Sequence, residues 1–117
     1  MKHNFKNLNI WKLSINLAVN VYEETENFPK SEEFGLKSQL RRCAVSVPSN
    51  TAEGSSWTSN KDFNRFLEYS QGSLYEMQTQ IIISTKRKFI SEESSENIEN
   101  QITELQKMVS GFQNTLQ

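Results

Sequence analysis

Residues 59–90 read SNKDFNRFLEYSQGSLYEMQTQIIISTKRKFI and contain no proline. Phe63, Phe66, Leu67, Leu74, Met77 and Ile81 recur on one face of a 3.6-residue period, the pattern of an amphipathic helix. A segment this long cannot be a strand, because strands rarely exceed about 10 residues. Ser59 followed by Asp62 resembles a capping box, although Asp is shorter than the usual Glu. Tyr69, Gly72, Glu76, Ile83 and Ile90 fall on roughly the opposite side of this helix. Gly72 costs about 1 kcal/mol against alanine in a helix interior, so the sequence predicts that another helix approaches closely there.

Working outward, the same period repeats three times. The first helix is expected over 8–27, with Leu8, Trp11, Ile15, Val19 and Tyr22 as its core face. Ile10, Leu13, Leu17 and Val21 form a second apolar stripe, and Pro29 ends the segment. The second helix is expected over 31–55. Ser31 would cap it, Glu32 and Glu33 would face its positive dipole end, and Leu36, Leu40, Cys43 and Val47 would form its apolar face. Pro48 predicts a kink rather than a stop, because Asn50 and Glu53 continue the face, and Gly54 reads as the exit. A fourth helix over 93–116 carries Ile98, Ile102, Leu105, Val109, Phe112 and Leu116 as a single stripe. With 59–90 as the third helix, these segments describe one all-α domain spanning residues 1–117, an antiparallel up-down four-helix bundle with short connections.

Composition agrees. The chain has 117 residues, 35% of them hydrophobic, with 4 glycines and 2 prolines, which favours long helices over turn-rich β structure. The formal net charge is −1, so a strongly basic nucleic-acid binder is not the expectation. Charge is uneven, with acidic residues concentrated after position 90. One cysteine excludes an intrachain disulfide and fits a cytoplasmic setting. The start of the chain has no run resembling a signal peptide, and no stretch approaches the roughly 20 apolar residues of a membrane span.

Enzyme chemistry is hard to build from this inventory. His3 is the only histidine, so Glu-x-x-His pairs for a di-metal bundle site are missing. Ser46 and Ser73 lack a histidine base. Neither a zinc set nor a P-loop or dinucleotide glycine motif is present. No catalytic, metal or cofactor residue is therefore assigned, and no cofactor is expected.

The doubled stripes of the first and third helices predict self-association, because long exposed apolar stripes mark interfaces. Ile10, Leu13, Leu17 and Val21, with Tyr69, Gly72, Glu76 and Ile83, are the expected oligomer surface. The other outcome is that a wide core and the loops cover these stripes within one chain. Gln39, Arg42, Ser46, Asn50 and Glu53 form a polar line beside the apolar face of the second helix. That line is read as a hydrogen-bonded network fixing register, with Glu53 paired to Arg42 or another cation. It would otherwise line a partner surface or the central cavity of an oligomer.

Phe34-Gly35-Leu36, Gln39-Leu40-Arg41-Arg42 and Ser46-Val47-Pro48-Ser49-Asn50-Thr51-Ala52-Glu53-Gly54 resemble the signature of the four-helix-bundle family of 23S rRNA intervening-sequence proteins. Phe63-Asn64-Arg65-Phe66-Leu67, Gly72-Ser73-Leu74-Tyr75-Glu76, Trp11, Val21-Tyr22 and Phe28-Pro29 extend the match over most of the chain. The resemblance implies a bundle that assembles into a homopentameric ring, with no enzyme activity. It also implies kinship with the accessory variability proteins of diversity-generating retroelements, basic pentamers that bind nucleic acid and a reverse transcriptase. This chain departs from the family where basic residues often follow Glu53-Gly54, since Ser55, Ser56, Trp57 and Thr58 stand there. Thr51 occupies the usual isoleucine position.

Two functions remain in view. One is a non-enzymatic homo-oligomeric scaffold. The other is a nucleic-acid-binding ring acting through Lys37, Arg41, Arg65, Lys86, Arg87 and Lys88, from a set of available cations that also includes Arg42 and Lys61. Trp57, in a predicted turn, either anchors a partner or packs over the end of the bundle.

Overall fold

The computed structural model describes residues 4–117. His3 lies outside the described residues. Helices α1 (Asn9–Thr25), α2 (Leu36–Ser55), α3 (Asn60–Lys86) and α4 (Glu92–Thr115) make up the body, with short 3-10 turns at Phe5–Asn7 and Lys30–Glu32. Among the described residues there is no strand. Each helix packs on the next, and α1 closes the ring of contacts by packing on α4. The result is a rod of 46 × 23 × 19 Å.

Cross-helix hydrogen bonds fix direction and register. Gln80 donates to Gln39 at 3.2 Å, Ser46 bonds Ser73 at 2.9 Å, and Thr51 bonds Ser70 at 3.1 Å, so α3 descends as α2 rises. Thr85 bonds Ser95 at 2.7 Å and Gln113 bonds Asn64 at 3.0 Å, which makes α4 antiparallel to α3. Asn20 and Gln101 bridge α1 and α4 at 2.8 Å.

The helix ends follow local chemistry. Ser59 accepts from the Asp62 amide at 3.3 Å, and Ser91 accepts from the Ser94 amide at 3.1 Å, each satisfying an orphan donor of a first turn. Helix α2 starts at Leu36, not near Ser31, because Lys30–Glu32 is spent in a 3-10 turn and the Glu32 carboxylate accepts from the Leu36 amide at 3.0 Å. Pro48 lies inside α2, which continues past it as expected. Gly54 is inside the last turn rather than beyond it. A Cβ there would sit 2.8 Å from Phe66 Cβ and 2.9 Å from Phe63 Cδ1, so glycine is what lets α2 and α3 close at this end. Helix α3 stops where Lys88 adopts φ 63°, a left-handed position usually given to glycine.

The core takes Leu40, Cys43, Ala44 and Val47 from α2, and Phe63, Leu67, Leu74, Met77 and Ile81 from α3. Helix α4 contributes Ile98, Ile102, Leu105 and Val109. Phe28 and Phe89 meet at 5.7 Å and cover one end, together with Ile90.

Helix α1 reverses the expectation. Ile10, Leu17 and Val21, read as oligomer surface, are core residues, and Leu13 packs against them half-buried. The stripe expected to be core is turned outward, with Trp11 and Ile15 half-buried and Val19 and Tyr22 exposed. The two stripes are nearly equal in apolarity, and what separates them is the company each keeps. Ser14 and Thr25 share the buried stripe and satisfy their hydroxyls locally, donating to Trp11 O and Val21 O at 2.7 Å each. Trp11 and Tyr22 lie beside α2 instead, Trp11 near Val45, Pro48 and Ala52 and Tyr22 near Arg41.

Candidate interaction face along α2

Helix α2 is the corner of the bundle at which two open faces meet. On the α1 side, Trp11, Ile15, Ala18, Val45, Pro48 and Ala52 line a shallow depression of about 310 Å³. Above it, Tyr22, Phe34, Lys37, Arg41, Arg42 and Val45 surround a second depression of about 410 Å³. Phe34, 95% exposed, stands at its rim. Arg41 is held rigidly in its wall. It donates to Thr25 Oγ1 at 3.0 Å and to Tyr22 O and Glu26 Oε2 at 3.1 Å each, and its guanidinium lies 4.4 Å from the Tyr22 ring centroid.

On the α3 side, the predicted polar line is present, and α3 supplies most of its partners. Gln80 donates to both Gln39 and Glu76, the latter at 3.3 Å, and the Cys43 thiol lies 3.8 Å from Gln80 Oε1. Asn50 donates to the carbonyl and the hydroxyl of Ser46 at 2.9 Å each. Glu53 and Arg42 do not join. Both are exposed and, among the described residues, neither makes an ion pair. The expected Glu53–Arg42 pairing is absent because both stand on the outer edge of one helix, three turns apart. Tyr69 and Ile83 flank the polar line, about half exposed. Gly72 is exposed too, and nothing lies within 4 Å of where its Cβ would be. The close helix approach predicted for Gly72 is therefore not made within the chain.

Burial pushes the Cys43 thiol up to about 12, and the nearby Glu76 carboxylate adds to that while Arg42 opposes it. At neutral pH the group is a protonated, small apolar side chain. The six predicted cations do not converge on one surface. Lys37 pairs with Glu33 at 3.3 Å, Arg41 with Glu26 at 3.1 Å, and Arg65 with Asp62 at 3.4 Å. Lys86, Arg87 and Lys88 are exposed together at the α3–α4 turn. Trp57 stacks on Phe66 with centroids 6.2 Å apart and remains 44% exposed, so it caps the bundle end. Among the described residues, no group of His, Cys, Asp and Glu is placed to hold a metal, and no helix is long and apolar enough to cross a membrane.

One feature escaped sequence reasoning. All the large hydrophobic side chains left exposed, namely Val19, Tyr22, Phe34, Val45, Trp57, Tyr69, Tyr75, Ile82 and Ile83, belong to α1, α2, α3 or the loops between them. None belongs to α4. The signal lay in α4's single stripe, but its placement relative to the α2 corner required the packing order.

The family described as 23S rRNA-intervening sequence protein matches residues 6–111. The chain belongs to this family. Among solved structures, the fold matches a crystal structure of a protein of unknown function from the S23 ribosomal protein family of Bacteroides thetaiotaomicron VPI-5482. That match has a TM-score of 0.80 at 23% identity and covers 89% of this chain and 97% of the other. At that identity the likeness speaks for the fold alone. No curated protein matches the chain. Gln39, Arg42, Ser46, Asn50 and Glu53, from the α2 stretch that carries the resemblance, face outward or toward α3.

Proposed function

We propose that this member of the intervening-sequence family is a non-enzymatic scaffold that works as a closed homo-oligomer, with α2 turned toward the assembly axis. The observation that carries this reading is the sidedness of the exposed apolar groups, which spare α4 entirely. Large apolar side chains exposed on three of the four helices, with none on the fourth, favour an interface on that side over a monomer. Adjacent faces of a four-helix bundle meet at about 90°, so joining one face to its neighbour's counterpart closes after roughly four or five copies. Five is the number the family resemblance implies.

Light scattering on the purified chain tests this reading. A mass near five chains is expected, and a monomer at micromolar concentration overturns it. The nucleic-acid reading draws its support from the contiguous Lys86, Arg87 and Lys88. Against it stand the acidic partners of Lys37, Arg41 and Arg65.

A further inference from the structure

Resting on the oligomeric reading, we infer that Tyr69 and Ile83 of one copy seat in the two depressions beside α2 of the next, so that each chain joins its neighbour head to tail. Projections and depressions belong to different faces of one chain. Trp11, Ile15, Ala18, Pro48, Ser49 and Ala52 line the lower depression, and Tyr22, Phe34, Lys37 and Arg41 line the upper. Every residue lining either depression belongs to α1, α2 or the segment joining them. The two projections come from α3. On that helix Ser70, Ser73 and Gln80 bond toward α2, whereas Gln71 and Gln78 bond toward α4. Tyr69 is one turn from Ser73 and Ile83 one turn from Gln80, so both share the α2 side. Tyr75 and Ile82 are each one turn from Gln78 and share the α4 side.

Heights decide what can meet. A rotation about an axis parallel to the helices moves every residue sideways but leaves its height unchanged. The bonds Gln39–Gln80, Ser46–Ser73 and Thr51–Ser70 set α2 against α3, and by that register Tyr69 is level with Asn50 to Ala52 and Ile83 with Leu36 to Ser38. Tyr69 of one copy therefore arrives at the Ala52 end of the next copy's lower depression, where small residues form the floor and Trp11 a wall. Ile83 arrives at the Phe34 end of the upper one and would cover a ring that is 95% exposed in the single chain. Between the two projections, Gly72 has nothing within 4 Å of a Cβ position, so the neighbour's helices can come close there. Size agrees as well. A long side of the 46 × 23 × 19 Å rod offers roughly 900 Å², near the ~800 Å² per partner of a standard stable interface. A second copy brings both projections at the required spacing, and its own depressions receive the next chain.

The two half-exposed tyrosines of α3 give the test, because Tyr75 lines a depression with Thr103 and Lys107 of α4 and lies away from the contact. Tyr69→Ala and Tyr75→Ala are compared by light scattering at a concentration where the wild type is assembled. Tyr69→Ala should fall toward the mass of one chain, and Tyr75→Ala should keep the wild-type mass. Equal masses for the two overturn the inference. A size swap then reads the contact itself. Ala52→Phe fills the receiving depression and should lower the mass on its own. Combined with Tyr69→Ala in one chain, it should restore multi-chain mass, because a large side chain again meets a small one at every contact. A double variant no better assembled than either single variant overturns the seating of Tyr69. Should Ala52→Phe fail to fold by circular dichroism, the comparison of the two tyrosine variants decides alone. A wild-type chain that is itself monomeric overturns the oligomeric reading. An assembled wild type whose Tyr69→Ala variant keeps full mass overturns only this contact.

Discussion

Along α4 every large apolar side chain is buried or half-covered by the bundle, and the rest of the helix is polar, with Glu92, Glu93, Glu96, Glu99 and Glu104 outnumbering the single Lys107. Around the α2 corner the order is looser. Val19, Tyr22, Phe34, Val45, Tyr69 and Ile83 face outward, and Arg42 and Glu53 stand unpaired among the described residues. Both regions belong to one bundle with one core, so the difference does not arise from what the fold needs. Polar side chains on the α3–α4 face bond largely within the chain, although Gln71 Oε1 is buried without a hydrogen-bond partner. Gln71 donates to Gln106 O and Ser110 Oγ at 3.1 Å each, and Gln106 donates to Gln78 at 3.1 Å. That glutamine ladder finishes one side of the molecule. The α2 side keeps more exposed apolar groups, and on them the proposed interface rests.

The sharpest contrast comes from equal truncations on the two sides. Ile102→Ala, in the α4 core, should cost about 2–5 kcal/mol in urea unfolding. Ile83→Ala should change the stability of the single chain by no more than about 0.5 kcal/mol, yet lower the assembled mass. Equal costs for the two would erase the distinction. The glycines give the next test. Gly54→Ala should cost about 1–3 kcal/mol through overpacking against Phe63 and Phe66. Gly72→Ala should add about 1 kcal/mol to the single chain while weakening assembly, and a stabilised chain with unchanged mass would remove Gly72 from the interface.

The pH dependence of Cys43 is a smaller effect. Its thiol rises from an ordinary 9.0 to about 12 on folding, so the fold favours the protonated form. That contribution is complete below pH 9 and is lost as pH rises from 9 toward 12. A Cys43→Ala chain should show a shallower decline over that window, and slow reaction of the native thiol with an alkylating reagent checks the burial directly. The smallest expected effect is on RNA. Binding of a single-stranded oligonucleotide should be negligible at low salt, and tight binding with a steep salt slope would give the basic turn at Lys86–Lys88 a role that the apolar comparison ignores.

Much of the bundle is legible in the sequence, and particular residues show why the rest is not. The α3 core face could be read because Phe63, Leu67, Leu74, Met77 and Ile81 are large and recur on one face, whereas the opposite side mixes Tyr69 and Ile83 with Gly72 and Glu76. In α1 the two stripes compete on equal terms, and only tertiary packing, with Ser14 and Thr25 bonding the Trp11 and Val21 carbonyls, selects Ile10, Leu17 and Val21 for the core. The start of α2 was misplaced because Ser31 has the right chemistry for a cap, while the Glu32 carboxylate does that work from inside a 3-10 turn. The polar line of α2 was visible as a line. Its partners Ser73, Glu76 and Gln80 were not, because pairing depends on the register between helices rather than on spacing along one.

The packing order of the helices also has a kinetic consequence. Helices α2 and α3 are adjacent in sequence, interlock at Gly54 and bond along their length, so their hairpin is suited to form early at small loop-closure cost. The α1–α4 seam joins the most distant parts of the chain, with Asn20–Gln101 as its side-chain bridge, and should be the first to open in hydrogen exchange. With α2 at the axis of the proposed oligomer, that seam would lie on the outer rim. The assembly can then breathe where it faces solvent while the contacts that hold it together stay closed.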